Sequence, residues 1–357
     1  MRQKGIGPYI FHDQIGKGAF SDVFLVFNEE KLEYFACKTV SKAKLNTPKI
    51  ISKFETEVRV LQQISHPNIV NLVDVLRDDF NYYVIMEFCS GGDLLSLITS
   101  KKKISEHETK RYMYQIMVGL QYLHGISITH RDLKPDNIFL DKNGAIKIGD
   151  FGFSRYIPQD NLATTICGSP CYSAPECFSG NPYNPYKSDI WSCGIIMYAM
   201  LTGHLPWKSS NRKDLYKEMR FPIFSIPISL STGCSEFLLS LLKLNPSDRP
   251  SVDVVLRHYW FNDSPKSMNR LNGTKCSVSL RQIDVFFGLD KLENDLEAQP
   301  LRRTNSSIDV DMFSTEKKIK CHGNALIIEP STPPKPKPFQ SWKKRILVKK
   351  IVTPVRK

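Results

Sequence analysis

The sequence lacks the apolar run of ~20 residues that a membrane-spanning helix requires. Its longest apolar candidate, around Ile195–Leu201, has polar residues on both sides. The first residues, MRQKGIGPYIFHDQ, contain no hydrophobic h-region of a secretory signal. A soluble chain made in the cytosol is therefore the expectation, with the nucleus also open to it. Zinc-type ligand pairs are missing as well. Cysteines stand at 37, 89, 167, 171, 177, 193, 234, 276 and 321, and no second Cys or His pair accompanies Cys167 and Cys171 at zinc spacing. An odd number at irregular spacing in 357 residues reads as reduced thiols rather than a disulfide framework. No internal repeat is visible. A hydrophobic content of 41% and a charged content of 24% exclude collagen, coiled coil and a wholly disordered chain.

Acidic residues are missing from one region in particular. Residues 331–357 hold nine Lys/Arg and no Asp or Glu, so of the net +13 only +4 belongs to everything before them. Basic character is thus a property of a tail, not of the body. With no reader motif present either, a nucleic-acid-binding body is disfavoured.

Composition shifts near residue 262. Before it, apolar periodic segments alternate with turn signals; after it come Ser/Asn/Lys-rich stretches and then TPPKPKP, which reads as a polyproline II spacer. Aromatic and β-branched residues predict strands at Tyr9–Ile15, Val23–Phe27, Glu33–Val40, Val70–Leu76 and Tyr82–Glu87. Thr47 as N-cap and Pro48 at the first position open a helix whose Ile50, Phe54, Val58, Leu61 and Ile64 share a face. Past residue 92 the pattern is mainly helical. Ser105 and Glu108 form a capping-box pattern ahead of a buried stripe of Met113, Ile116, Met117, Leu120 and Leu123. Strands first and helices afterwards predict an α+β chain with a β-rich small lobe and a helical large lobe.

Between the first two strands lies Gly16-Lys17-Gly18-Ala19-Phe20-Ser21-Asp22-Val23. Glycines let a backbone approach a polyphosphate, although many Gly-rich hairpins bind nothing. No helix follows, so this is not a dinucleotide fingerprint. Lys38 sits in an apolar strand, where it is either an ordinary edge lysine or a phosphate ligand oriented by Glu57 of the next helix.

Three further motifs follow in order: His130-Arg131-Asp132-Leu133-Lys134-Pro135-Asp136-Asn137, Asp150-Phe151-Gly152 and Ala174-Pro175-Glu176. With the glycine loop and Lys38 they resemble the signature set of eukaryotic protein kinases, over residues 9–261. The resemblance implies a bilobal fold: an N-lobe over 9–86, a hinge over 87–91 and a C-lobe over 92–261. Residues 1–8 would be an extension, and 262–357 a regulatory or mostly disordered tail. It implies ATP and Mg²⁺. Lys38, paired with Glu57, would hold phosphates; Asp132 would take the substrate hydroxyl proton; Lys134 would neutralise the γ-phosphoryl group; Asn137 and Asp150 would bind the metal. Ile15, the loop from Gly16 to Val23, Ala36, Met86 as gatekeeper, Glu87-Phe88-Cys89 as hinge, Asp93 at the ribose and Phe139 would enclose the nucleotide. The apolar members could equally be plain core.

Lys134-Pro135 and Ser169 resemble serine/threonine rather than tyrosine kinases. Asp93 and Asp136 match positions that receive an arginine three residues before the acceptor in basophilic relatives; Ala199 stands where some relatives place a further glutamate. The GxGxxS loop, SGGDL and CGSPCYSAPE resemble the calcium/calmodulin-dependent and SNF1/AMP-activated group, with Ser21 and Cys37 as departures. A scaffold lacking transfer activity is the other class to weigh, and the presence of Lys38, Glu57, Asp132, Asn137 and Asp150 opposes it. Thr165 matches the activation position for an upstream kinase, with Arg131, Arg155 and Lys53 as phosphate-gathering cations; a plain loop threonine is the alternative. Asp189 would brace the catalytic loop and Arg249 would pair with Glu176.

In the tail, Leu301 and Arg303 precede Ser306 at five and three residues, as in substrates of this group, so Ser306 is a candidate autophosphorylation site. Ser341–Lys350 invites calmodulin, but Leu347, Val348 and Ile351 fall away from the Trp342/Ile346 side; attachment to acidic lipid or acidic protein needs no periodicity. DVFFGLDKLENDLEAQ (Asp284–Gln299) is a candidate amphipathic helix with Leu289, Leu292 and Leu296; docking on the large lobe as a regulatory segment is one option that the sequence leaves open. The protein is expected to be a monomer.

Overall fold

The computed structural model describes residues 5–262 and 277–289, apart from 160, 166, 210, 211 and 221–223. Ser306 and the basic end 331–357 lie outside the described residues.

Alternation of apolar and polar residues lets each early strand bury one face or both, and the strands pair accordingly. They are β1 (Gly5–Ile6), β2 (Tyr9–Lys17), β3 (Ser21–Asn28), β4 (Glu33–Ser41), β5 (Leu72–Arg77) and β6 (Asn81–Glu87), with helix α1 (Pro48–Gln63) inserted after β4. All form one antiparallel sheet in the order β1-β2-β3-β4-β6-β5, curled by register shifts in β2 and β5. Tyr9, Val26, Phe35, Cys37, Tyr83 and Ile85 pack on one face of it. On the other, Val40, Leu72 and Val84 meet Phe54, Val58 and Leu61 of α1. Thr47 caps α1 by accepting the Ile50 N–H at 3.3 Å, and Ile50 itself is only half-buried.

The large lobe follows: α2 (Leu94–Lys101), α3 (Glu106–Gly125), β7 (Ile128–Thr129), β8 (Ile138–Leu140), β9 (Ile146–Ile148), β10 (Arg155–Tyr156), α4 (Pro185–Thr202), α5 (Arg212–Arg220), α6 (Thr232–Leu241) and α7 (Val252–Leu256). The α3 stripe of Met113, Ile116, Met117, Leu120 and Leu123 is fully buried. Its capping box is only half made. Ser105 accepts the Glu108 N–H at 3.2 Å, but the Glu108 carboxylate takes Lys101 at 2.7 Å and the Ser105 hydroxyl at 3.2 Å, where an opposite charge outcompetes a neutral amide. Helix α4 is buried all round and ends at Gly203, whose φ of +81° and backbone contact with Lys102 leave no room for a Cβ. The described cysteines, 37, 89, 167, 171, 177, 193 and 234, are all free thiols. No helix among the described residues is long and apolar enough to cross a membrane.

In the tail the described residues form α8 (Leu280–Phe287), which starts ahead of the candidate segment 284–299 and packs on α1 and β5 of the small lobe. Gly288, at φ +78°, ends it before Leu289, and a Ser279/Gln282 capping box starts it. Its buried side chains are Ile283 and Phe286, with Val278 just ahead of the helix. Leu292 and Leu296 lie outside the described residues.

Arg249 is 1% exposed, and its Nη2 donates to Glu176 Oε2 at 2.8 Å while its guanidinium lies 4.9 Å from the Trp191 ring. Removing one partner leaves a buried charge alone. Glu176→Ala is therefore expected to lose about 3–5 kcal/mol of stability, read as a lowered denaturation midpoint at unchanged slope.

Candidate active site

Pleating places one functional row on one face of the small sheet. Opposed pairs share a face: Val23 with Lys38, Ala36 with Met86, Lys38 with Val84. Val23, Ala36, Lys38 and Met86 therefore lie together on the face that α1 covers, and Cys37 falls on the other. Burial pushes the Cys37 thiol up to about 11, which makes it an inert core residue. The glycine-rich hairpin is closed by Gly18 N–H donating to Ser21 O at 2.7 Å; Ile15 and Phe20 stand exposed at its rim. Gly16 is paired with Val23 and Lys17 with Asp22, and a bulge precedes Gly16.

Lys38 Nζ forms a short ion pair with Glu57 Oε1, joining β4 to α1. Burial works against the Lys38 charge, but Glu57 and then Asp150 outweigh it and hold its pKa above the usual value. Asp150 has φ +59° and accepts the Gly152 N–H at 3.3 Å, while Phe151 is fully buried against His130. On the floor opposite, Phe139 of β8 lies against Gly149, where a Cβ would come within 2.8 Å of the ring. At the hinge Glu87 forms an ion pair with Lys147 at 2.6 Å, and its N–H donates to Asn71 O at 3.0 Å. Burial, with Glu87 beside it, pushes the Cys89 thiol up to about 12.

The loop between β7 and β8 converges on Asp132, which is 6% exposed. Asn137 Nδ2 donates to Asp132 O at 2.9 Å and to Oδ2 at 3.2 Å; the Ser169 N–H donates to Oδ1 at 2.8 Å. Lys134 Nζ stands 3.4 Å from Oδ2 and donates to Ser169 Oγ at 3.0 Å. Asp189 holds this loop from below, accepting the His130 N–H at 3.0 Å and the Arg131 N–H at 2.8 Å, with His124 Nε2 at 3.0 Å. Burial opposes its charge, but His124 and the amides hold its carboxyl below the ordinary value. Arg131 sits at φ +66°, a conformation a non-glycine residue keeps only when its surroundings enforce it.

Two further carboxylates, Asp93 and Asp136, stand near enough to interact. Burial, followed by the nearby Asp93 and Asp132 charges, raises the Asp136 pKa despite Lys134. Asp93 has a role the sequence reading missed: Oδ1 accepts the Ser96 N–H at 2.7 Å and Oδ2 the Ser96 hydroxyl at 3.0 Å, capping α2. The signal was an Asp followed three residues later by a Ser at the start of an apolar helix. His124, Gly168, Tyr183 and Lys147 were also missed, because each acts only through a partner distant in sequence. Gly168, for example, lies so close to Arg131 O that a Cβ would be 2.5 Å from it.

At the activation segment Thr165 is exposed, and its carbonyl accepts from Arg131 Nη2 at 2.8 Å and from the Tyr183 hydroxyl at 3.1 Å. Arg131 Nε is buried with no partner. Burial first, then the Arg131 charge, lower the Arg155 pKa. Lys53 is held over the Phe153 ring at 3.8 Å, so what it engages here is an aromatic face next to the Asp150-Phe151-Gly152 turn.

A metal at this site would take hard oxygen ligands. Asn137 uses its Nδ2 on Asp132, which leaves its amide oxygen, and the Asp150 carboxylate is exposed. Among the described residues no group of three His, Cys, Asp or Glu could hold a metal alone, so water or phosphate oxygens would complete the shell of an ion held by Asn137 and Asp150. The donor set fits a divalent ion held jointly with a nucleotide.

A small sheet and a helical lobe joined by a hinge, with a lysine–glutamate pair facing an Asp–Lys–Asn loop, define a nucleotide-dependent phosphotransferase. The protein kinase domain family matches residues 9–261, and the chain belongs to that family. It is 30% identical over 332 residues to CBL-interacting protein kinase 31 of Oryza sativa subsp. japonica, covering 89% of this chain and 74% of the relative. Over 289 residues it is 33% identical to CBL-interacting serine/threonine-protein kinase 9 of Arabidopsis thaliana, covering 80% of this chain and 64% of that one. To the SNF1-like protein kinase ssp2 of Schizosaccharomyces pombe it is 35% identical over 260 residues, covering 73% of this chain and 45% of that relative. The chain is a protein serine/threonine kinase of the SNF1/calcium-calmodulin-dependent group, and membership of the family implies ATP as substrate together with a divalent metal.

Asp189→Asn leaves at least one of the amides it holds without a charged acceptor, with an expected loss of about 1–3 kcal/mol. Because the folded carboxyl is depressed below 3.8, the contribution is fully present above that pH and fades as pH falls through the folded value. Denaturant midpoints of wild type and variant should therefore differ at pH 7 and converge in strong acid.

Proposed function

We propose that Asp132 is the catalytic base of Mg·ATP-dependent transfer to serine or threonine in proteins carrying an arginine three residues before the acceptor. The observation that carries the reading is the convergence of Asn137, Ser169 and Lys134 on one carboxylate. Asn137 and Ser169 fix its direction, and Asp132 takes the hydroxyl proton as the substrate oxygen bonds to the γ-phosphorus and the bond to the β-phosphate oxygen breaks. Lys134 neutralises the phosphoryl group in transit. Lys38, oriented by Glu57, binds the α- and β-phosphates. Mg²⁺ held by Asn137 and Asp150 would supply charge neutralisation across the phosphates. Val23, Ala36, Met86 and Phe139 enclose the adenine, Cys89 and Glu87 edge it, and Asp93 reaches the ribose.

The raised Asp136 carboxyl favours a cationic substrate side chain, since a guanidinium beside it would relieve the repulsion from Asp93 and Asp132. Thr165 is read as the switch. A phosphate there would draw on Arg131, whose Nε has no partner, and on Arg155, while Lys53 would have to leave Phe153 to join them. The tail is read as a site for regulatory partners, of acidic lipid or acidic protein type; the plant relatives are named as CBL-interacting kinases.

Asp132→Asn should lower kcat about 10²–10⁴-fold for transfer from ATP to a basic serine peptide; near-wild-type transfer would overturn the assignment. Asp136→Asn, chosen because Asp93 also caps a helix, should cut kcat/KM about tenfold for a peptide with arginine at that position and leave its alanine counterpart unchanged. Phosphorylation at Thr165 should raise activity severalfold, and Thr165→Ala should remain at the unphosphorylated rate after treatment with an activating kinase.

A further inference from the structure

Helix α8 joins α1, which carries Glu57, to the sheet to which the strand of Lys38 belongs, through β5 and Tyr82 of β6. Phe54 lies three residues before Glu57, on the same face of α1. Tyr82 of β6 is paired with Val40, two residues beyond Lys38 on the same face of β4. Phe286 and Phe287 close on both. Their ring centroids lie 6.3 and 5.7 Å from Phe54 and 4.9 and 5.8 Å from Tyr82; Phe54 and Tyr82 are 5.5 Å apart, and Phe286 and Phe287 4.9 Å. The cluster thus ties α1, one turn from Glu57, to the sheet two residues from Lys38.

Polar contacts fix the register of α8. Gln62 Nε2 donates to Val278 O at 3.0 Å in a buried bond, Arg59 Nη2 pairs with Asp284 at 2.8 Å, and Arg77 Nη1 donates to Phe286 O at 3.3 Å at the helix C-terminus. The ion pair is partly exposed and so contributes less than the aromatic packing.

We propose that residues 277–289 act as an intramolecular clamp on α1, with Phe286 and Phe287 as positioning residues that keep Glu57 seated on Lys38. The proposal rests on the reading above that this pair binds the ATP phosphates. A helix seated only part of the time leaves a smaller competent fraction of enzyme, so the clamp acts by population rather than by touching ATP.

The test uses the full-length chain. Phe286→Ala/Phe287→Ala should lower kcat/KM for ATP at least about fivefold, with the KM for the peptide substrate unchanged. Added in trans, a peptide of residues 277–289 should restore the rate saturably, and the same peptide lacking both phenylalanines should not. Wild-type ATP kinetics in a folded double variant, or a loss that the peptide cannot reverse, overturns the clamp. Should the double variant show no cooperative melting, Asp284→Arg unseats α8 by opposing Arg59 without emptying the core, and unchanged ATP kinetics there overturn the proposal equally. Lys38→Met separates the two readings. If it abolishes transfer while the α8 variants behave as wild type, only the clamp falls; if it retains wild-type transfer, the reading of the pair itself falls.

Discussion

Everything at the catalytic loop hangs on a carboxylate that never meets solvent. Asp189 projects from α4, the most buried helix, and takes two successive main-chain amides, those of His130 and Arg131, together with His124. A buried anion is costly unless its acceptors are filled, and here they are filled by the backbone whose path it must set. The amides can point at it because Arg131 adopts a left-handed backbone conformation. That turn leads directly into Asp132, whose carboxylate Asn137 and Ser169 hold. Loop strain and buried charge compensate one another.

Two ion pairs show how differently the same chemistry is used. Arg249 and Glu176 are almost entirely enclosed, and the guanidinium also donates to the carbonyls of Lys243, Lys187 and Leu244. That pair welds the lower lobe and has no reason to open. Lys38 and Glu57 instead link a strand to a helix across the edge of an open cleft, with the lysine side chain 17% exposed. Such a pair can exchange partners with phosphate oxygens, and its geometry depends on how α1 is seated. Two contacts on α1 hold it from other sides, that of Lys53 with Phe153 and that of Phe54 with Phe287 of α8.

Local chemistry was legible wherever it is written in neighbouring residues. Thr47-Pro48 announced the start of α1, the α3 stripe announced its buried face, and the His130–Asn137 run with Asp150-Phe151-Gly152 announced the site. Lys134-Pro135 carried the substrate class. Less legible were residues whose function comes from a distant partner. Glu108 reads as half of a capping box, yet its carboxylate is shared between Lys101 and the Ser105 hydroxyl. Asp93 reads as a ligand and is also a cap. The tail helix was displaced because three leucines at helical spacing outweighed a single glycine, although Gly288 ends the helix and aromatic residues ahead of it do the packing.

What the sequence alone determined is the fold class and the order of its motifs: strands before helices, a glycine-rich hairpin, a lysine with a glutamate on the next helix, and the His130–Asn137 and Asp150–Gly152 runs that mark the kinase family. Period, capping and motif spacing are short-range properties, and they survive in one dimension. Only the tertiary structure decided that Asn137, Ser169 and Lys134 meet on Asp132, that Asp189 lies beneath Arg131, and that α8 rests on α1 instead of the large lobe. Those outcomes follow from burial and charge balance between segments tens to hundreds of residues apart, which no local pattern encodes.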